Sequence, residues 1–400
     1  MKISYAYHLD AAQPGIQSGR PASILRGFEQ AGVDVHRIFP LREDFQLRRL
    51  TRKIFWHSMG RQFLIDRDPQ LLASYARQIE AALEREAGDI IFSPSTLPLS
   101  DLQTDLPITF CADASLALMM GYYRSYTRLS SAQAAFAEAA ESAVLKRAAL
   151  AVYPSEWAAR SAIEHYGMDE DRVAVIPFGA NLGQENTRAE VAEWIDARES
   201  EPWRILFVGR EWERKGGDLA VETVRLLTKR GARVQLDLVG TDAPASVHTL
   251  PFVRCHGLLS ANANDQRETL AGLFRDAHVL FVPSRAEAYG MVYAEANAFG
   301  LPCLATYTGG ITGIVRDGVN GHALPLAAGP EDYADCLTRM LDDPRHYRQL
   351  ARSAFDEFEQ RLNWTAFSQK FLALVHERVL SGACASETRE EHDGSILSPK

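Results

Sequence analysis

The stretch Phe281–Gly300, FVPSRAEAYGMVYAEANAFG, carries a strand into a helix through a short polar loop. The buried run Val279–Val282 stops at Pro283, and a helical pattern resumes at Gly290. In an open α/β sheet, ligands bind in the crevice outside the carboxyl ends of the strands, where this loop falls. The free N–H groups around Gly290, Met291 and Val292 face that crevice, next to Tyr289. With the helix dipole they form an anion site suited to phosphate. Gly290 has no side chain, so a phosphate can approach the backbone closely.

Two glutamates bracket this site, Glu287 before the helix and Glu295 within it. On a continuous helix that spacing separates them by about 12 Å. The paired carboxylates of a retaining glycoside hydrolase stand roughly 5–5.5 Å apart, so that chemistry does not fit. The spacing suits two carboxylates gripping hydroxyls at opposite ends of one long ligand, read as sugar–diphosphate–ribose. Two surface glutamates on an amphipathic helix are the plainer alternative.

Working outward, residues 205–218, ILFVGREWERKGGD, form a strand ending at Gly209, followed by Arg210, Lys215 and a glycine pair that opens a helix. Two cations at a strand end in the crevice neutralise a diphosphate leaving group. Neither GxGxxG nor GxxxxGK[ST] occurs, so dinucleotide dehydrogenase and P-loop readings lose their main support.

Strands at Lys2–Tyr7, Val33–Phe39, Ile90–Phe92, Ile108–Cys111, Leu150–Tyr153 and Val173–Ile176 alternate with helical patterns at 22–31, 69–87, from Ser131 and from Ser155. Residues 178–203 break the rhythm with a polar segment. It restarts with strands at Arg204–Val208, Val234–Val239, Phe252–His256, Val279–Val282 and Cys303–Ala305, and helices at 217–230, 265–276 and 290–299. Two α/β halves with parallel sheets, joined by a polar connector, are the simplest account. Residues 381–400 lack an apolar face and read as a disordered tail.

The chain has 400 residues, enough for two or three domains. With 46% hydrophobic and 24% charged residues it is an ordinary globular composition, which excludes a disordered chain, a collagen-like fibre or a membrane bundle. No apolar run is long enough to span a bilayer, and MKISYAYHLDAAQPG is too polar for a signal peptide. Lys and Arg total 43 against 52 Asp and Glu, a formal charge of -9, which argues against a general nucleic-acid binder. The five cysteines include no CxxC pair, so neither a disulfide framework nor a zinc site is expected, and a cytoplasmic location fits. No HExxH or GxSxG occurs, and Asp169-Glu170-Asp171 precedes a strand and reads as a turn, so no metal site is expected.

Residues 42–67 differ from the rest, with seven Arg/Lys (Arg42, Arg48, Arg49, Arg52, Lys53, Arg61, Arg67) against three acids. Phe45, Leu47, Leu50, Ile54, Phe55, Trp56 and Phe63 are interleaved with them. One reading is a peripheral membrane or anionic-acceptor face. The plainer one is a solvated helix face over an ordinary core stripe.

Taken together, the sequence resembles family 4 of the retaining glycosyltransferases, whose GT-B fold sets two Rossmann-like domains face to face. The likeness rests on G-R-x4-K-G at 209–216, P-S-R-x-E-A-Y-G-x4-E-A at 283–296, A-F-G-L-P-C at 298–303, T-x-x-G-G at 306–310 and V-R-D-G-V-N-G at 315–321. It extends more thinly through VYPSEW at 152–157 and PFGAN at 177–181. The resemblance implies an acceptor-side domain over 1–180, a connector over 181–203 and a nucleotide-sugar domain over 204–362. A helix over 363–380 is expected to cross back to the first domain.

By the same resemblance, Glu287 would contact donor-sugar hydroxyls and Glu295 the ribose, while Arg210, Lys215 and the N–H groups of Gly290–Val292 would bind the diphosphate. Gly209 and Tyr289 join them as donor contacts, and His256, Gly257 and Leu258 would face the base. Gly19, in QSGRP, matches a glycine loop near the donor phosphates, or is simply a helix-opening turn. The implied activity is retaining, metal-independent transfer of a sugar from a UDP- or GDP-sugar to an acceptor hydroxyl. The nucleotide sugar is a co-substrate and no cofactor is implied. A sugar-nucleotide epimerase and a non-catalytic sugar-nucleotide-binding protein are the alternatives.

Two departures stand out. Many members carry a histidine near the reacting sugar, where this chain reads TFCADAS and offers Asp113, either as a site residue or as a helix N-cap. The family's Pro-Glu after the glycine pair is replaced by Thr312 and Gly313.

Overall fold

Short, almost wholly buried apolar runs such as Ile90–Ser93 and Val279–Val282 pack as parallel strands covered on both faces. The first sheet holds β1 (Lys2–Ala6), β2 (Asp34–Ile38), β3 (Ile90–Ser93), β4 (Ile108–Cys111), β5 (Ala148–Tyr153) and β6 (Val173–Val175). The second holds β7 (Trp203–Val208), β8 (Val234–Val239), β9 (Val253–Cys255), β10 (Val279–Val282), β11 (Cys303–Tyr307) and β12 (Gly321–Pro325). The computed structural model describes residues 1–13, 15–43, 46–181, 186–198, 201–259 and 263–381. Apart from Ser381, the expected disordered tail lies outside the described residues, as does Phe45.

Each sheet is six-stranded and parallel, in the orders β2-β1-β3-β4-β5-β6 and β12-β11-β10-β7-β8-β9. In the second sheet the order reverses between β7 and β10, so the loops after those two strands flank the switch-point crevice. They are the loops carrying Lys215 and Glu287. In the first sheet the reversal falls between β1 and β3.

The helices longer than one turn are α1 (Arg20–Gln30), α2 (Gln46–Ser58), α3 (Pro69–Leu83), α4 (Ser131–Arg147), α5 (Glu156–Glu164), α6 (Arg188–Ala197) and α7 (Gly217–Lys229). They continue with α8 (Asn264–Asp276), α9 (Met291–Asn297), α10 (Pro330–Leu341), α11 (Pro344–Arg361) and α12 (Trp364–Leu374). Ser130, Ser155, Thr187 and Asn363 cap α4, α5, α6 and α12 through their side chains. Strand β12 was not anticipated: GHALP is short and closes on a proline. Within 181–203, α6 buries Val191 and Ile195, and both lie against Gly300 of the second half.

The last helix crosses back to the first domain. Phe371 of α12 stacks on Phe28 of α1 with ring centroids 5.2 Å apart, and meets Phe92 of β3 at 5.1 Å. The other passage between domains runs beside it, with the Ala180 N–H donating to Leu362 O at 2.9 Å. Among the described residues no helix is long and apolar enough to cross a membrane.

Candidate functional site

The loop after β10 is held open by its neighbours. Arg285 bonds back to the segment after β7, its N–H to Arg214 O at 2.8 Å and its guanidinium to Asp218 at 2.7 Å. This brings Glu287, buried at 8% exposure, onto the one-turn helix Trp212–Lys215. The Glu287 carboxylate pairs with the buried Lys215 ammonium and lies 3.3 Å from Arg214 Nη1. Ser284 Oγ donates to the same oxygen at 3.5 Å. Gly209 leaves room for the Lys215 stem, whose Cγ would stand 2.9 Å from a Cβ there.

Two expectations about cations part company here. Lys215 lies just beyond the end of β7, as expected, and there it pairs with Glu287. Arg210 is exposed and takes no ion pair among the described residues. The second cation beside Glu287 is Arg214, which one turn of helix carries to the same side as Lys215.

Gly290 caps α9 at φ 91, the left-handed region, with no side chain over the first turn. A Cβ there would meet the Tyr293 ring at 2.7 Å and Glu287 Cγ at 3.1 Å. Met291 and Val292 follow, half-buried. Tyr289 points elsewhere: its ring packs on Phe178 of the first domain and its hydroxyl donates to Phe178 O at 2.8 Å. Its side chain therefore serves the domain contact.

Glu295 is half-buried and accepts the Asn181 N–H. Burial pushes its carboxyl up to about 7, opposed by that hydrogen bond and by the charge of Lys215. Lys215 thus acts electrostatically on both glutamates. Asn181, which sequence reasoning did not single out, ties four segments together. Its side chain bonds Ser23 Oγ and Trp364 Nε1, both at 2.7 Å, donates to Ser18 O, and reaches Met291 Sδ at 3.9 Å.

The glycine loop of the first domain is unusual. Gln17, Ser18 and Gly19 all lie at positive φ (45°, 56° and 86°), a strained run that delivers Gly19 as the N-cap of α1. Arg20 follows, buried, and pairs with Asp113, donates to Pro94 O at 3.0 Å and lies 5.2 Å over the Phe178 ring. Asp113 is therefore not a helix cap; Ser115 caps the adjacent turn. Its carboxylate answers Arg20 and stays half-exposed. Nearby in the first domain, Tyr7 Oη and His8 Nδ1 are buried without a hydrogen-bond partner among the described residues, and burial pushes the His8 imidazole down to about 4.

At the ends of β8 and β9, His256 is held by Asp237 at 2.7 Å, and Gly257 O accepts the Gly240 N–H at 2.7 Å. Leu258 stands exposed beyond them. The Asp169–Asp171 segment is a turn before β6, with Asp169 paired to Arg172 at 2.8 Å.

Two adjacent tyrosines, also missed in the sequence, close the domains over the glutamate loop. Tyr122 Oη accepts the Glu287 N–H at 2.9 Å and Tyr123 Oη accepts the Ala288 N–H at 2.7 Å. Arg214 lies 5.1 Å over the Tyr123 ring, and burial raises that phenol's pKa. Tyr122 also bonds Thr308 Oγ1 at 3.0 Å. The seam continues at Gly310 and Gly313, where a Cβ would stand 3.0 Å from Ser155 Oγ and 2.8 Å from Pro154 O. The glutamate that the resemblance expects at 313 has no space here. A Tyr-Tyr pair in the MGYYR loop was the one available signal.

Residues 202–343 match the family described as "Glycosyl transferases group 1", and residues 22–184 match "Glycosyltransferase Family 4". The D-inositol 3-phosphate glycosyltransferase of Nocardiopsis dassonvillei is 32% identical over 226 residues, 52% of this chain and 51% of its own length. That of Geodermatophilus obscurus is 34% identical over 196 residues, 46% of this chain and 43% of its own. The chain spans about half the length of the curated relatives it matches. Sucrose-phosphate synthase from Thermosynechococcus elongatus superposes with a TM-score of 0.68 at 19% identity, over 96% of this chain and 100% of that one. Anabaena Alr3699/HepE, solved in complex with UDP and glucose, gives 0.61 at 16% identity, over 94% of this chain and 99% of that one. At such identities the likeness shows the fold, GT-B.

Proposed function

The chain belongs to the group 1, family 4 glycosyltransferases, and from that premise we propose that it moves a sugar from a nucleotide diphosphate sugar to an acceptor hydroxyl with retention of configuration. The observation that carries this reading is the cluster of buried Glu287 and Lys215 with half-buried Arg214 at the ends of β7 and β10. A carboxylate beside two cations matches the two halves of such a donor. The sugar hydroxyls donate to Glu287, and the diphosphate draws on Lys215, Arg214 and the opening N–H groups of α9. Exposed Arg210 lies within the same loop and adds charge at the rim. Glu295 takes the ribose hydroxyls.

In the reaction, the bond from the anomeric carbon to the phosphate oxygen breaks as positive charge grows on the sugar. The cations stabilise the departing diphosphate. The acceptor oxygen bonds to the same face, and its proton passes to the leaving phosphate oxygen. Asp113, anchored by Arg20, lines the acceptor side. We assign no resident cofactor and no metal to the step. The donor is a UDP- or GDP-sugar. The described cysteines are free thiols, which suits the reducing cytoplasm we assign.

The test is release of UDP or GDP from a panel of nucleotide sugars, with and without acceptors that include D-inositol 3-phosphate. Acceptor-dependent release is expected. Release without transfer points to a hydrolase, conversion of the donor to its epimer without net release to an epimerase, and tight donor binding with no turnover to a binding protein. Glu287→Ala and Lys215→Ala are each expected to lower kcat by about 10²–10³-fold, the scale of one lost transition-state contact. Unchanged turnover in Glu287→Ala removes that residue from the mechanism.

A further inference from the structure

The basic stretch 42–67 was expected, on its plainer reading, to cover a core stripe. The structure places it differently: α2 turns Arg49 inward and leaves its apolar residues Leu50, Ile54 and Phe55 outward. Arg49 is 4% exposed and pairs with Glu43 at 2.9 Å. Arg52 pairs with the buried Asp68 at 2.5 Å, and its guanidinium lies 5.1 Å over the Phe63 ring. At 100° per residue these share one side of the helix with half-buried Trp56. The remaining sides carry Leu50 (50% exposed), Ile54 (61%) and Phe55 (58%), and Met59 (57%) follows in the turn after the helix. Among the described residues only nine large hydrophobics are exposed, and four of them sit here. Lys53, His57 and Arg61 are exposed among them.

We propose that α2 and the turn after it dock on the surface of an anionic lipid bilayer. Leu50, Ile54, Phe55 and Met59 would enter the acyl boundary while Lys53 and Arg61 meet lipid phosphates. Charge selects this occupant. The whole chain carries -9, yet residues 46–61 hold no acid and leave Lys53 and Arg61 exposed, while Arg49 and Arg52 are paired inward, so attraction to an anionic surface is local. Two copies pairing through α2 would bring Lys53, His57 and Arg61 against their own kind. The helix is short and lies along a surface, so docking needs no spanning segment.

Docking also orients the molecule. Helix α2 leaves the carboxyl end of β2, the sheet edge that faces the cleft. Glu43 and Asp66, which flank the helix, act electrostatically on His8 at the end of β1. A docked molecule thus sets the acceptor side of its first domain against the lipid.

The experiment uses the full chain in vesicle flotation, with phosphatidylcholine alone or with about 30% phosphatidylglycerol. Binding to the anionic vesicles is expected, roughly tenfold weaker on zwitterionic ones, and reduced by raising salt from about 0.1 to 0.5 M. Ile54→Glu/Phe55→Glu is expected to abolish flotation, and Lys53→Glu/Arg61→Glu to weaken it roughly tenfold. Both double variants should keep the wild-type melting temperature and the wild-type release of UDP or GDP, which separates this proposal from the assignment of the reaction. No flotation, or flotation indifferent to both variants, overturns it. So does a dimer in sedimentation equilibrium that Ile54→Glu/Phe55→Glu dissociates, because the apolar face then belongs to a second copy.

Discussion

The Glu287 carboxylate faces Lys215 and Arg214 at once, and both cations ride on the single turn Trp212–Lys215. Without a donor Glu287 is paired with both cations, and a bound diphosphate competes with it for them. Glu295 behaves differently. Its carboxyl, at about 7 against the usual 4.5, holds a proton more tightly in the fold than in the unfolded chain. The stability it lends is full below about 4.5 and is lost as pH rises through about 7. The melting temperature of the unliganded protein, compared with Glu295→Gln, should therefore fall over that window, and the difference should vanish in the variant. Ribose hydroxyls donate best to the ionised form, so donor affinity should improve as pH rises through 7 in the wild type and stay flat in Glu295→Gln. Glu287, Glu295 and Lys215 were legible in the sequence because a strand end and a helix period fix where they point. Arg214 was not, since nothing in REWERK says which arginine a single helical turn will carry to the glutamate. Arg20 and Asn181 escaped notice because their partners lie far along the chain.

Elements carry the next level of information. The inner strands of the β–α rhythm, such as β3, β4 and β10, are short apolar runs buried on both faces, and such runs are visible without a structure. What periodicity does not reveal is which side of a helix is covered. In α2 the apolar and basic stripes were both readable, yet their orientation depended on Glu43 and Asp68 waiting for Arg49 and Arg52. The segment between β4 and α4 shows the same limit from the other direction. Tyr122 and Tyr123 look like loop residues, but they complete the hydrogen bonding of Glu287 and Ala288 across the domain seam. Tyr122→Phe and Tyr123→Phe each leave a peptide N–H without its partner. Each should cost about 1–3 kcal/mol in stability, measured by denaturant unfolding. Donor KM should rise in both variants more than kcat falls, because the loop loses its support while the charges on the leaving group remain.

For the molecule as a whole, both passages between the domains run side by side, at Ala180 and at Leu362. Asn181 stands at that crossing and holds the glycine loop, α1, α12 and Glu295 together. Asn181→Ala should loosen closure: a larger radius of gyration by small-angle scattering, recovered on adding donor, and a donor KM raised about tenfold for the loss of one to two kcal/mol of hydrogen bonding. The two-domain plan was readable from the break at 178–203 and the restart at Arg204. The seam itself was not, since Gly313 reads as a missing glutamate until Pro154 is seen occupying the space. The return of α12 to the first domain has a consequence during synthesis. Residues 1–180 leave the ribosome first, yet Phe28 and Phe92 receive Phe371 only after some two hundred further residues have been made. Until then a nascent first domain presents an aromatic furrow to the cell, a natural landing place for a chaperone.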